Sequence, residues 1–192
     1  MDASEGERQR LFIAVPLPGE LLGFVSAAQA LLPAARGLRV LRPDQLHLTL
    51  AFIGAVDEAR GAAARAVVDS LPADMGGEGV ISRFLLLPSA TKARVVTLEV
   101  VDGQGVFAGL FARVMGGLEA AGVMEREKRP FRPHLTIARL RTPGPVQPRS
   151  ESGQARFAVE SVCLYKSELK REGAAYTVLT RAVFEQEHGA KA

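Results

Sequence analysis

Two segments of the chain repeat one ten-residue pattern, and this repeat constrains the fold more than any other feature. The first, RPDQLHLTLA, begins at Arg42, and the second, RPFRPHLTIA, begins at Arg129. They align without gaps and share six of ten positions. Each contains a His-Leu-Thr motif, and the two histidines, His47 and His134, lie 87 residues apart. The repeat predicts duplication of one structural unit, with one motif in each copy.

The alternation of side chains along a strand gives each motif a polar face. Residues i and i+2 of a strand point to the same side, so His47 projects with Thr49, and His134 projects with Thr136. The leucine between each pair then faces the core. If the two copies pack about a pseudo-two-fold axis, both His-Thr pairs face one cleft. His188, the third histidine, lies in a charged tail and is predicted to be a solvated surface residue.

Two histidines in one cleft suit phosphoryl transfer. A neutral imidazole removes a proton from an attacking water, and a protonated one donates a proton to the leaving oxygen. Imidazole, with an ordinary pKa of about 6.5, serves in either state near neutrality. Threonine hydroxyls donate hydrogen bonds to the non-bridging phosphate oxygens. One isolated motif would indicate only a hydrogen-bonded strand histidine, whereas two copies in a matching frame favour catalysis.

Other functional classes fit the sequence less well. Neither motif has a second histidine or an acidic cluster beside it, so we expect no metal and no cofactor. A serine or cysteine hydrolase would need a nucleophile elbow, which the sequence lacks. The single cysteine, Cys163, lies in an apolar run and is predicted to be a small buried side chain. A non-catalytic module that binds RNA ends in the same cleft remains an alternative.

The hydrophobic pattern predicts strands and helices interleaved along the chain. The predicted strands are 10–15, 46–53, 81–87, 94–101, 135–140, 157–165 and 176–184. The predicted helices are 20–32, 57–71 and 106–118, with Asp57 as the cap of the second. The glycine-rich stretch Asp74–Gly79 is predicted to be a hinge between halves, and Thr142–Pro148 a loop. This order fits an α+β or an α/β fold, and periodicity alone leaves both open.

Chain length and net charge limit the size, the binding partners and the location that can be expected for the protein. A chain of 192 residues fits one compact domain. A net charge of +3 and a pI near 9.3 indicate a mild bias toward polyanions. The longest uncharged run, Leu21–Ala35, is too short to cross a bilayer, and the polar N-terminus does not resemble a signal peptide. We therefore expect a cytoplasmic protein that does not contact a membrane.

The motifs and their flanks resemble the 2H phosphoesterase superfamily. Within it, the chain is similar to the bacterial and archaeal RNA 2′,3′-cyclic phosphodiesterases, also called 2′-5′ RNA ligases. The resemblance extends from about Arg8 to Phe184. It is carried by the two motifs, HLTL from His47 and HLTI from His134, and by the flanks RLFIA, QLHLTLAFIG, RPFRPHLTIAR and LYKSEL.

This resemblance implies a fold and an activity. The fold is α+β: residues 1–192 form a single domain of two similar lobes, each an antiparallel sheet with helices outside, about a central cleft. The activity is hydrolysis of a 2′,3′-cyclic phosphate to a 2′-phosphate, with His47 as proton donor to the departing 3′ oxygen and His134 as proton acceptor. Reversal of the reaction would give 2′-5′ ligation. The substrate would be an RNA end, such as a tRNA fragment, or a small cyclic nucleotide, and the protein a monomer.

Four further residues are candidates for substrate binding. The resemblance implies a phosphate contact at Arg139, five residues after His134, although a regular strand would place it on the opposite face unless a bulge intervenes. Arg132 precedes the same histidine by two residues, and its direction is open. Phe12 and Phe52 are candidates to stack on a base, with core packing as the alternative.

Overall fold

A computed structural model describes residues 8–127, 129–170 and 173–185, which form nine strands and three α-helices. The strands are β1 (Gln9–Pro16), β2 (Leu38–Val40), β3 (His47–Val56), β4 (Gly77–Leu87), β5 (Ala93–Val101), β6 (His134–Gly144), β7 (Ala155–Val159), β8 (Ser161–Lys170) and β9 (Gly173–Val183). The helices are α1 (Leu22–Ala30), α2 (Glu58–Asp69) and α3 (Val106–Ala120). His188 lies outside the described residues.

The strands form two antiparallel sheets, which confirms the predicted α+β fold. The first sheet has the order β3-β1-β8-β9, and the second has the order β2-β6-β5-β4-β7. The motif strand β3 lies at one edge of the first sheet. The motif strand β6 is the second strand of the other sheet, next to the edge strand β2. The sheets do not follow the two halves of the chain, because β8 and β9 complete the first sheet and β2 pairs with β6 in the second. Each motif strand therefore depends on residues distant in sequence.

The core lies on the faces of the sheets that carry the large aliphatic residues. Along β1, Leu11 and Ile13 are fully buried, and α2 packs on the Leu11 side through Gly61. Asp57 caps α2 as predicted, since its carboxylate accepts the Arg60 backbone N–H at 2.8 Å. Cys163 is 0% exposed, which confirms the buried small side chain.

Three local predictions were wrong. The expected strand 157–165 is two strands, β7 and β8, which belong to different sheets; the chain passes from one sheet to the other at the exposed Glu160. The glycine-rich stretch is not a hinge throughout, because Gly77 opens β4 and Gly79 packs between Phe107 and Phe157, where a Cβ would lie within 2.7 Å of a ring carbon. The predicted loop begins later, since β6 continues to Gly144.

No helix within the described ranges is long and apolar enough to cross a membrane.

Candidate active site

A short turn that is held by hydrogen bonds precedes the first histidine. Pro43–Gln45 forms one turn of 3₁₀-helix immediately before β3, and proline is suited to its first position. The side-chain oxygen of Gln45 accepts the Arg42 backbone N–H at 3.2 Å, and its amide donates to the Ala174 carbonyl at 2.7 Å. Because Ala174 lies in β9, this buried glutamine joins the turn to the far edge of the first sheet. These two hydrogen bonds fix the turn, and with it the position of His47, the first residue of β3.

Both imidazoles are held by a backbone carbonyl two residues earlier in the chain. Nδ1 of His134 lies 2.7 Å from the carbonyl oxygen of Arg132, and the ring of His47 is hydrogen-bonded to the backbone of Gln45. A carbonyl oxygen only accepts, so the ring nitrogen in each bond carries the proton. The other ring nitrogen of each histidine is left for the substrate. In both copies of the motif, the imidazole is thus hydrogen-bonded to the backbone of the residue two positions earlier.

A β-bulge follows each motif and turns the next residues toward the cleft. In β6, Thr136 is opposite Thr97 while Ala138 is opposite Val96, so Ile137 is the extra residue. The corresponding bulge in β3 is at Leu50. The bulge reverses the alternation of side chains, and Arg139 therefore lies on the same face as His134 and Thr136. This is the bulge that a phosphate contact by Arg139 requires. By the same geometry, Phe52 shares the face of His47 and Thr49.

The bulge in β6 is supported from outside the sheet. The carbonyl oxygen of Ile137 accepts the backbone N–H of Leu41 at 2.9 Å and the side-chain amide of Gln29 at 3.0 Å. The same amide donates to the Leu41 carbonyl at 2.8 Å. Gln29 lies in α1, so the helix stabilises the irregular strand segment that directs Arg139. The bulge takes the Ile137 carbonyl out of the regular pairing between strands, so this carbonyl needs other hydrogen-bond donors.

His47 packs among aromatic rings. Its ring centroid lies 4.7 Å from that of Phe12, 5.2 Å from that of Tyr176 and 6.2 Å from that of Tyr165. Phe12 also stacks on Tyr165 and is only 2% exposed, so it has no free face for a base and supports the histidine instead. Phe52 is 53% exposed, with the Arg10 guanidinium 4.9 Å from its ring centre. Of the two phenylalanines, only Phe52 can receive a base.

The surroundings of His47 favour its neutral form. Burial among the aromatic rings lowers the pKa of His47 to about 4, and electrostatic repulsion by Arg139 and by the second histidine of the cleft adds to this effect. The hydrogen bond to the Gln45 backbone opposes them. At neutral pH the imidazole of the unliganded protein therefore carries no charge. A role as proton donor requires that a bound anion restore the proton.

An anion in the cleft is expected to raise the pKa of His47, because a negative charge stabilises the imidazolium. Sulfate is a suitable probe, since its charge stays constant across the relevant pH range. Titration of the His47 ring by NMR should give a pKa near 4 without sulfate and a clearly higher pKa at saturation. Arg139→Gln should raise the pKa of the free protein in the same assay, because it removes a neighbouring charge. A pKa unchanged by both would contradict this geometry.

Apart from Thr136, which lines neither, the candidate residues border two adjoining cavities. The first, of about 500 Å³, is lined by His47, Arg139 and Tyr176, and the second, of about 620 Å³, by His134 and Arg132. Thr49 and Phe52 line both cavities. The structure therefore places Arg139 beside the first histidine and Arg132 beside the second. Thr136 is half-buried on the cleft face of β6.

Sequence reasoning missed two tyrosines of the site. Tyr165 and Tyr176 come from β8 and β9, and both rings contact His47. Tyr165 falls in the flank LYKSEL, which contributed to the resemblance without indicating a role for the tyrosine, and Tyr176 stands in an ordinary strand pattern. Only the order of the first sheet brings the two rings beside His47. Arg10, the first residue of the flank RLFIA, was likewise not predicted to belong to the site. Across the described residues, no group of three or more histidine, cysteine or acidic side chains is placed to hold a metal ion.

The chain is similar in sequence to the proteins of one family. The family model of the 2′-5′ RNA ligase superfamily matches residues 17–171. The RNA 2′,3′-cyclic phosphodiesterase of Thermus thermophilus is 34% identical over 94% of this chain and 92% of its own. The Escherichia coli protein of the same name is 27% identical over 91% of this chain and 96% of its own.

Solved structures show the same architecture. The TT0787 protein of Thermus thermophilus superposes with a TM-score of 0.76 at 31% identity, covering 93% of this chain and 100% of that one. Escherichia coli LigT in its apo form gives a TM-score of 0.77 at 26% identity, covering 94% and 100%. LigT has also been solved in complex with 3′-AMP. With nearly its whole length matched in sequence and in fold, the chain belongs to the 2′-5′ RNA ligase superfamily.

Proposed function

We propose that this protein is an RNA 2′,3′-cyclic phosphodiesterase that opens the cyclic phosphate to a 2′-phosphate by acid-base catalysis with two histidines. The observation that carries the proposal is the matched presentation of His47 and His134, each held by a carbonyl two residues earlier and each beside a cavity of the same cleft. The shared name of the Thermus thermophilus and Escherichia coli relatives supports the activity.

The proposed reaction is an in-line displacement at phosphorus. The free ring nitrogen of His134 takes a proton from water as the water oxygen bonds to phosphorus. The bond from phosphorus to the 3′ oxygen breaks, and the proton of His47 passes to that oxygen. The product carries a 3′-hydroxyl and a 2′-phosphate. If the 5′-hydroxyl of an RNA replaces water, the same steps give a 2′-5′ linkage.

Charge stabilisation is assigned to residues of the cleft face. The hydroxyls of Thr49 and Thr136 would donate to the non-bridging oxygens, and the Arg139 guanidinium would pair with the negative phosphate. The phosphate in turn favours the protonated form of His47, whose pKa is low in the free protein. Phe52, exposed where the two cavities meet, would receive the terminal base. Since both motifs come from one chain, a monomer is sufficient for the reaction.

The direct test is product analysis on an RNA with a 2′,3′-cyclic end, in the presence of EDTA. We expect complete conversion to a 2′-phosphate, because every proposed step uses protein groups only. Products are separated by chromatography against synthetic 2′- and 3′-phosphate standards. A 3′-phosphate product would show that the 2′ oxygen leaves, and loss of turnover in EDTA would favour a metal-dependent enzyme. Binding without any turnover would favour the alternative, a non-catalytic module for RNA ends.

A further inference from the structure

One side chain of α1 joins the two copies of the motif. Gln29 lies in the last turn of α1, and its amide nitrogen lies 2.8 Å from the carbonyl oxygen of Leu41 and 3.0 Å from that of Ile137. Leu41 directly precedes the first ten-residue repeat, and Ile137 is the ninth residue of the second. A single amide therefore holds together the segments that carry the two histidines. We call this arrangement the Gln29 bridge, defined by Gln29, Leu41 and Ile137.

The bridge uses the donor capacity of the amide fully. A primary amide has two N–H groups, and here the nitrogen serves two carbonyl acceptors. The Ile137 carbonyl also accepts the Leu41 backbone N–H at 2.9 Å, so the two segments are joined directly and through Gln29. A side chain without donors at this position would remove the Gln29 hydrogen bond from both carbonyls, and an unpaired buried carbonyl is costly.

The helix gives the amide a fixed origin. In the turn before Gln29, Val25 and Ala28 are 0% and 1% exposed, and α1 contacts β6 through this side. Gln29 itself is half-buried. Holding a long side chain in one conformation costs entropy, which the two hydrogen bonds offset. Packing alone would be met by an apolar side chain, so the amide is needed for the two carbonyls.

The Ile137 end of the bridge lies at the bulge that directs Arg139. In the pairing of β2 with β6, Arg39 is opposite Arg139, and the Leu41 N–H extends this pairing up to the bulge. Arg139 then borders the cavity of His47. Regular pairing at Ile137 would turn Arg139 to the opposite face of the sheet. The direction of this guanidinium therefore depends on a bulge that Gln29 supports.

The Leu41 end of the bridge leads to the first histidine. From Leu41 the chain passes through the 3₁₀ turn Pro43–Gln45 into β3, which His47 opens. The bridge thus connects the segment before His47 with the segment before Arg139. It sets the distance between them, and the two side chains border the same cavity.

We propose that Gln29 is a positioning residue, which holds the two motif-bearing segments at the separation that lets Arg139 and His47 engage one phosphate. This inference rests on the proposed function and adds a residue to its machinery. Gln29 does not line the cavity of His47 or that of His134, so it acts through Arg139 and not by contact with the substrate. Small displacements of a group that binds the reacting phosphate are expected to lower the rate strongly.

The kinetic test is a double-mutant cycle with 2′,3′-cyclic AMP as substrate. Gln29→Leu removes both donors and keeps the size of the side chain. It should lower kcat/KM about tenfold, the effect of losing one charge-assisted contact to phosphate. In the Arg139→Gln background, the same change should lower kcat/KM less than about twofold, because the guanidinium through which Gln29 acts is already absent.

Two further variants control this cycle. Gln29→Asn shortens the side chain by one methylene, so its amide cannot reach both carbonyls, and we expect an intermediate loss. Ser152→Ala is the matched control, because Ser152 also donates a partly buried hydrogen bond to a strand carbonyl, that of Ser82 at 2.8 Å. It should leave kcat/KM unchanged. Unfolding midpoints of all variants establish that they fold, and Gln29→Asn carries the comparison if Gln29→Leu does not.

Affinity for sulfate, measured by NMR titration, gives a readout independent of turnover. Sulfate should bind about tenfold more weakly to Gln29→Leu and to Arg139→Gln than to the wild type, and no more weakly to the double variant. Without sulfate, the pKa of His47 should be higher in Gln29→Leu than in the wild type, since the charge of Arg139 lies farther away. A loss of stability alone would change neither quantity.

Three results would overturn the inference. These are wild-type kcat/KM and sulfate affinity in Gln29→Leu, a loss that persists undiminished in the Arg139→Gln background, and an equal loss in Ser152→Ala. If the histidine variants are inactive while Gln29→Leu retains full activity, the inference fails and the proposed function stands. If the protein hydrolyses no cyclic phosphate, the proposed function fails, and the sulfate cycle still decides whether Gln29 positions Arg139.

Discussion

Replacing either His47 or His134 with alanine is expected to lower the rate of cyclic phosphate hydrolysis at least about 10²-fold. Each variant removes one proton transfer from a reaction in which both the attacking and the leaving oxygen change protonation. The measurement is single-turnover cleavage of 2′,3′-cyclic AMP at saturating enzyme, which separates chemistry from binding. Circular dichroism and the unfolding midpoint of each variant establish that it folds.

Asparagine variants refine this experiment. An asparagine amide can replace the ring N–H that bonds the backbone carbonyl, as Nδ1 of His134 does at 2.7 Å, but it cannot exchange a proton near neutral pH. We expect His47→Asn and His134→Asn to keep the loop geometry and still lose about 10²-fold in rate. Wild-type activity in any of these variants would rule out the paired-histidine mechanism.

The roles of the two histidines can be separated with a better leaving group. A 4-nitrophenyl phosphodiester needs no proton on its departing oxygen, so His47→Ala should recover most of its rate on that substrate if His47 is the donor. His134→Ala should remain impaired, because water must still lose a proton. The reverse pattern would exchange the two roles. It would agree with the low pKa of His47 in the free protein, since a neutral imidazole is also a competent base.

The second large effect is expected at the threonines. Thr49→Val and Thr136→Val keep the shape of each side chain and remove its hydroxyl, and each should lower kcat about 10²-fold, as loss of a donor to developing phosphate charge does. KM for cyclic AMP should change much less, because the interaction strengthens as charge builds in the transition state. The assay is steady-state kinetics over a full substrate range.

Thr97→Val is the matched control for these two variants. Thr97 is directly opposite Thr136 in the neighbouring strand, but it is fully buried and donates its hydroxyl to the Leu85 carbonyl at 2.7 Å. Its loss should reduce the free energy of unfolding by about 1 kcal/mol and leave kcat unchanged. If Thr97→Val lowers kcat as much as Thr136→Val, the effect is structural, and the hydroxyls of the cleft have no special role.

The strands of the motifs were predictable from local pattern alone. Strand alternation places His47 with Thr49 and His134 with Thr136 on one face, and the structure has this arrangement in β3 and β6. The helix cap at Asp57 was equally local, because a cap depends on contacts within one turn. Features of this kind need no knowledge of the neighbouring strands.

Other parts of the site depended on partners distant in sequence. The direction of Arg139 followed from a bulge at Ile137, and a bulge is defined only against the facing strand. Tyr176 reached His47 because β9 joins the first sheet through β8, a pairing between segments that local periodicity does not specify. Likewise, Arg39 lies opposite Arg139 only because β2, from the first half of the chain, pairs with β6 from the second half.

By itself, the sequence determined that two copies of a His-Leu-Thr unit present two imidazoles and two hydroxyls, since strand alternation is a property of the backbone. Only the tertiary structure decided how those groups differ. Burial among Phe12, Tyr165 and Tyr176 lowers the pKa of His47, and the bulge in β6 turns Arg139 toward it. The pKa of His47 depends on its burial, and the direction of Arg139 depends on pairing with a strand distant in sequence. Two nearly identical motifs therefore have unequal surroundings in one cleft.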